Sequence, residues 1–110
     1  AELGGLGPDI AAQAMARAGQ AFWRDPTWHE LGRADPRHAR RLIATAAFES
    51  LLRKGHPAPA SETVSSLADA FSRRRDEEMR LEAGAEALLL DLRDAGYRLA
   101  LLTNGAGPLQ

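Results

Sequence analysis

At 110 residues and 11.9 kDa the chain is at most one domain's worth of polypeptide, long enough to bury a core without staples. It has no cysteine, which excludes disulfides, thiolate–zinc sites and cysteine nucleophiles. With 14 basic and 15 acidic residues there is no bulk field to attract nucleic acid or an anionic membrane, and neither is expected as a partner. No apolar run approaches the ~20 residues of a membrane span, and the N-terminus lacks a basic-then-apolar signal pattern. Composition therefore points to a soluble, cytoplasmic, helix-leaning protein. Alanine occurs 22 times and arginine outnumbers lysine 13 to 1, and both biases favour helices. The chain opens on Ala1 and closes on Gln110, and we read it as a piece of something longer.

The first helix is expected from Gly7 to about Arg24, with Pro8 at its first position and a single apolar stripe of Ala11, Met15, Ala18 and Phe22. Residues 25–36 (DPTWHELGRADP), with two Asp-Pro pairs and Gly32, read as turns. A second helix begins at Asp35, whose carboxylate caps it, with Pro36 next; Ala39, Leu42, Ile43, Ala46, Ala47 and Leu51 form its buried face. Glu49 and Arg53 make an i,i+4 pair near its end, and Lys54-Gly55 stops it. Ser61 reads as the cap of a third helix running to about Arg80, with Val64, Leu67, Ala68 and Phe71 inward. The charge run 73–78 (RRRDEE) reads as its solvated end, with Asp76 paired to Arg80.

At Gly84 the character changes. Ala85 to Ala95 predicts a short helix with Leu88, Leu89, Leu92 and Ala95 inward, and Gly96 sits where a left-handed cap belongs. Tyr97 to Leu102 is nearly continuous in apolar residues, as in a parallel strand covered on both faces, and it ends in Thr103-Asn104-Gly105. Helix, glycine, buried strand and polar turn make half of an α/β unit, whose partner strands must lie outside the chain. Ligands bind beyond the carboxyl ends of such strands, so Thr103, Asn104 and Gly105 read either as an anion cradle or as an ordinary Asn-Gly turn. Gly105-Ala106-Gly107-Pro108-Leu109-Gln110 is a poor dinucleotide fingerprint, with glutamine in place of the third glycine. His29, His38 and His56 lack metal-ligand spacing, so no metal site is expected.

The stretch LEAGAEALLLDLRDAGYRLALLTNG (81–105) resembles the second conserved motif of the haloacid dehalogenase-like hydrolases together with the helix that leads to it. Ala83-Gly84 stands where many members have Pro-Gly. FWRDPTWHELGRADPRHARRLI (22–43) looks like the helical cap of phosphatases in this superfamily, in the subgroup of acylneuraminate 9-phosphatase-like and pyrimidine nucleotidase-like members. The resemblance implies a mainly α fold: a helical cap over residues 1–81, then residues 82–110 as one helix and one strand of a truncated Rossmann-like α/β core. It implies that Thr103 holds the transferring phosphoryl oxygens, with Asn104 and Gly105 shaping the phosphate loop. The parent would be a Mg²⁺-dependent phosphatase of a small phosphorylated metabolite, acting through an aspartyl-phosphate.

The family's Asp-x-Asp-x-Thr motif, the lysine after the threonine and the acidic pair that holds Mg²⁺ do not occur here; the only lysine, Lys54, precedes Thr103. The chain alone is therefore expected to be inactive. In the cap, Arg24, His29 and Arg33 are candidates for substrate choice: an arginine there either pairs with a second anionic group or is solvated while Trp23 and Trp28 pack the helix junction. Two other readings remain at this level. One is a dehalogenase of the same superfamily. The other is a non-catalytic helical module that binds through Val64, Leu67, Phe71 and the segment 97–102. Oligomeric state is left open.

Overall fold

A computed structural model describes residues 5–103, and among them it contains five α-helices and no strand. The mainly α class is as expected. Helix α1 spans Pro8–Arg24; a single 3₁₀ turn, Pro26–Trp28, leads into α2, His29–Ala34; then follow α3 (Pro36–Arg53), α4 (Ser61–Glu78) and α5 (Ala85–Asp94).

The local signals act where the sequence places them. Pro8 and Pro36 occupy first turns, and Asp35 accepts a hydrogen bond from the His38 amide at 3.1 Å. Helices α3 and α5 both end in Schellman caps built on left-handed glycines. Gly55 (φ 86°) donates to the Leu52 carbonyl while His56 donates to that of Leu51. Gly96 (φ 93°) donates to the Arg93 carbonyl and Tyr97 to that of Leu92 in the same pattern. Two local expectations need correction. The stretch 25–36 is not all turn, because Asp25 accepts from the Thr27 amide and starts the 3₁₀ turn that runs into α2. Ser61 is the first helical residue rather than the cap; that place belongs to Ala60, whose methyl group caps nothing.

Helix α3 is the centre of the bundle, with α1 on one side and α4 on the other. Phe22 packs with Ala39 and Ile43, so the end of α1 meets the start of α3. Ion pairs Arg37–Asp76 (2.9 Å) and Arg41–Asp69 (2.7 Å) set the start of α3 against the end of α4. Both neighbours therefore run antiparallel to α3. The end of α1, the start of α3 and the end of α4 share one end of the bundle, where α2 also packs.

The main core is Leu6, Ala11, Ala14, Ala44, Ala47, Phe48, Leu51, Val64 and Ala68. Phe48 and Ala44 were not among the expected core positions, whereas Ala46 was and is exposed. Small alanines let the helices approach closely, which leaves Phe48 as the largest side chain in this cluster. Ser72 is fully buried and accepts a hydrogen bond from Arg40 Nη1 at 2.9 Å, while the Arg40 guanidinium lies 5.9 Å from the Phe71 ring centre. Partial burial pulls the Arg40 pKa below its ordinary value.

The α4 charge run is tied up differently from expectation. Asp76 takes Arg37 and Arg75, Arg74 pairs with Glu78 at 2.9 Å, and Arg80 caps the helix by donating to the Glu77 and Met79 carbonyls. Glu49 and Arg53 form no ion pair. Arg41 grips Asp69 with Nε and Nη2, and this hydrogen bonding holds the Asp69 carboxyl below the usual carboxylate range. A lowered folded-state pKa means the pair stabilises the bundle above the ordinary carboxylate range and loses that effect as the pH falls through the lowered value. Asp69→Asn should therefore flatten the acid limb of the urea midpoint measured from pH 6 to pH 2. An acid limb that stays unchanged would show that the pair contributes nothing to folding.

Past Glu78 the packing stops. Helix α5 has no buried residue and forms no substantial interface with another helix. Leu88 and Leu89, expected to face inward, are exposed, and Leu92 is half-buried. Residues 97–103 form no strand, which corrects the expectation for Tyr97 to Leu102. The physical reason is the one the sequence supplies: a parallel strand needs a ladder partner, and none lies among the described residues. Leu101 and Leu102 are 84% and 99% exposed. In consequence the chain exposes 8477 Å², against about 6,000 Å² for a compact protein of this mass. Its radius of gyration is 18.3 Å, where about 13 Å is usual at this length.

Candidate functional site

The structure gathers the cap candidates at one end of the bundle. Phe22, buried at the end of α1, carries an aromatic cluster: Trp23 meets it edge-on (5.0 Å, 81°) and Trp28 stacks on it (5.5 Å, 18°). The Trp23 ring lies directly on the backbone of Gly32 in α2, leaving no space for a Cβ there; Phe22 Cε1 would also stand 3.3 Å from that atom. His29 Nε2–H donates to the Trp23 carbonyl at 2.8 Å, a second tie between α1 and α2. Asp25 accepts from Thr27 at 3.0 Å, and that hydrogen bonding holds its carboxyl below the usual range. The contact between Gly32 and Trp23 is not legible as a motif; the only signal is a glycine within a short helix.

Gly32→Ala tests this junction. The new methyl group meets a ring packed edge-on against the buried Phe22, so overpacking should cost about 1–3 kcal/mol in urea unfolding. A variant as stable as the parent would mean that the Trp23 ring swings away freely.

Arg24 ends α1 and Arg33 lies in the last turn of α2, each adjacent in sequence to one member of the Trp23–Gly32 contact. Both are exposed, and neither forms an ion pair or side-chain hydrogen bond among the described residues. His29 is half-buried and engaged with the backbone. The three sequence candidates of the cap thus share one neighbourhood. Thr103 is exposed at the end of the segment that follows α5. Asn104 and Gly105 lie outside the described residues.

Two grooves run along the bundle. One of about 790 Å³ lies between α1 and α3, from Asp25, Phe22 and Trp28 at one end to Lys54 and His56 at the other. The other, about 570 Å³, opens between α1 and α4 over α3 and is lined by Met15, Ile43, Phe48, Leu67 and Phe71. It exists because α1 and α4 each contact α3 but form no substantial interface with one another. This is also why Leu67 and Phe71, expected in the core, are exposed.

Among the described residues no group of three or more His, Asp or Glu is placed to hold a metal ion. The Mg²⁺ that the sequence resemblance implies has no ligand set in this arrangement, and no chemical step can be assigned to it here. Among the same residues no helix is long and apolar enough to cross a membrane. No protein-family model, curated protein or solved structure matches this chain.

Proposed function

We propose that this chain is the helical cap and second-motif segment of a haloacid dehalogenase-like phosphatase acting on a small phosphorylated metabolite. The observation that carries the reading is the pairing of a packed helical bundle with an unpacked arm. The arm begins at the left-handed Gly84 (φ 81°), runs through α5 to the Schellman cap at Gly96, and continues as an exposed apolar segment into Thr103. An amphipathic helix, a glycine stop and an apolar segment ending in polar residues are the sequence of parts that an α/β half-unit needs, and the exposed leucines would be the faces a sheet covers. In that setting Thr103 stands at the carboxyl end of a strand, where a hydroxyl and following amides can hold phosphoryl oxygens. The nucleophile, the lysine and the Mg²⁺ ligands would come from other parts of the protein.

The test is phosphate release from p-nitrophenyl phosphate, with Mg²⁺ and with EDTA. The 110-residue chain is expected to be inactive, and the complete product of its gene active only with Mg²⁺. A complete product that releases no phosphate from any ester overturns the reading. Release of halide from a 2-haloacid instead would assign the chain to the dehalogenase branch.

A second reading has its own support. The apolar groove between α1 and α4, with Leu67 and Phe71 exposed beside it, suits a non-catalytic helical module that takes a partner helix. An inactive complete product that binds an amphipathic helix in this groove would favour it.

A further inference from the structure

We propose that this chain pairs with a second copy of itself through α4, with Leu67 and Phe71 of each copy seated in the other's groove between α1 and α4. The inference goes beyond the phosphatase reading and is independent of it, since that reading assigns nothing to this face of α4.

The groove and the side chains that would fill it lie on the same surface. Helices α1 and α4 wall it, α3 floors it, and its lining is apolar apart from Arg40. Leu67 (37% exposed) and Phe71 (60% exposed) stand at its α4 lip, so the bundle carries a hole and two knobs side by side. A two-fold interface requires such a self-complementary patch, because the same surface must serve both partners. The symmetry also sets the direction. Helices α1 and α4 both run antiparallel to α3 and so parallel to each other. A second α4 related by the two-fold axis lies antiparallel to α4 and to α1, which brings helix ends of opposite dipole sign together.

The polar groups fit the register that the apolar ones impose. Crosswise contact of Leu67 with Phe71 of the second copy puts the axis level with Asp69. Glu78 is then level with Ala60 of the second copy, because positions 60 and 78 are equidistant from 69. Ala60, Leu67, Phe71 and Glu78 share one helical stripe, at spacings of seven, four and seven residues. The N-terminus of α4 has no side-chain cap, since Ala60 takes the cap position. Glu78 bonds Arg74 through Oε1, which leaves Oε2 to accept from the first-turn amides of the second copy. A carboxylate at a bare helix N-terminus is favoured by hydrogen bonding and by the dipole together, and symmetry makes the contact twice. Burying the exposed knobs thus supplies a cap that the chain does not provide for itself.

Sedimentation equilibrium of the 110-residue chain at about 100 µM should give twice the 11.9 kDa of one copy. Phe71→Asp should weaken the dimer by about tenfold or more. That side chain is exposed, so the helical circular dichroism of the variant should match the parent's. Leu88→Asp in α5 should leave the dimer as it is. The chain has no cysteine, so cross-linking can read the register. On oxidation, a mixture of Ala60→Cys and Glu78→Cys chains should form a disulfide-linked dimer that neither chain forms alone. A parent chain that stays monomeric overturns the inference and leaves the groove to a helix from a different protein. Loss of the dimer in Leu88→Asp, with Phe71→Asp still paired, overturns it in favour of α5 exchanged between copies. Equal cross-linking of each single-cysteine chain overturns the antiparallel register, and the proposal with it. Phosphate release by the complete gene product is measured separately, so the phosphatase reading survives or fails on its own.

Discussion

Phe48→Ala is expected to remove most of the stability of the bundle. Phe48 is 3% exposed and sits among Ala11, Ala14, Ala44, Ala47, Leu51, Val64 and Ala68. Five alanines and a helix on either side leave little that can move into the vacated space, so the lost transfer energy and the cavity add together. The cost should be about 3–5 kcal/mol, against about 5–15 kcal/mol for the whole stability of a typical domain. Urea unfolding followed by helical circular dichroism at 222 nm measures it as a shift in midpoint at constant slope. Leu88→Ala in α5 is the contrast: that side chain is 59% exposed, and its loss should barely move the transition. Equal effects at the two positions would mean that α5 is packed in solution and that the core is not where Phe48 lies.

Thr103→Val in the complete gene product should lower kcat for p-nitrophenyl phosphate by about 10²–10³-fold, with a smaller change in KM. Valine keeps the shape and the β-branch of threonine and removes only the hydroxyl, so the change isolates the one hydrogen bond that the proposal assigns to the phosphoryl oxygens. Phosphoryl transfer depends mostly on positioning and on stabilising charge over those oxygens, which is why a single donor carries so much. Thr103→Ser returns the hydroxyl and should recover much of the rate. Unchanged turnover in Thr103→Val would remove Thr103 from the catalytic site, and with it the one site residue on which the phosphatase reading depends.

The legible part of the fold is the part governed by neighbours in sequence. Proline at the first turns, the Asp35 cap and the glycines at 55 and 96 act within a few residues of where they stand, and each sits at its expected helix end. Ser61 is the exception, because Ala60 takes the cap conformation one residue earlier and the hydroxyl is left on the helix surface. Within 25–36 the Asp-Pro pairs read as turns, yet one aspartate starts a 3₁₀ turn and the residues after it become helical where Gly32 can lie under Trp23. That contact joins residues that pattern alone does not pair. In the candidate site, the sequence marks Arg24, His29 and Arg33 as a group; only the fold separates His29, tied to the backbone, from two arginines without side-chain partners among the described residues.

Burial was the least legible quantity, and the reason is geometric. Helical periodicity says which residues share a face but not how much of that face a neighbour covers. Leu67 and Phe71 share a face with Val64 and Ala68, yet α1 and α4 diverge over α3 and leave the first two in an open groove. The apolar run from Tyr97 to Leu102 reads as a buried strand because such a run has no stable place in water. A strand, however, is a property of a pair of segments. By itself the sequence determined four of the five helices, most of their caps and the change of character at Gly84. The tertiary structure decided which apolar faces meet, because burial and strand pairing depend on partners that a local pattern does not contain.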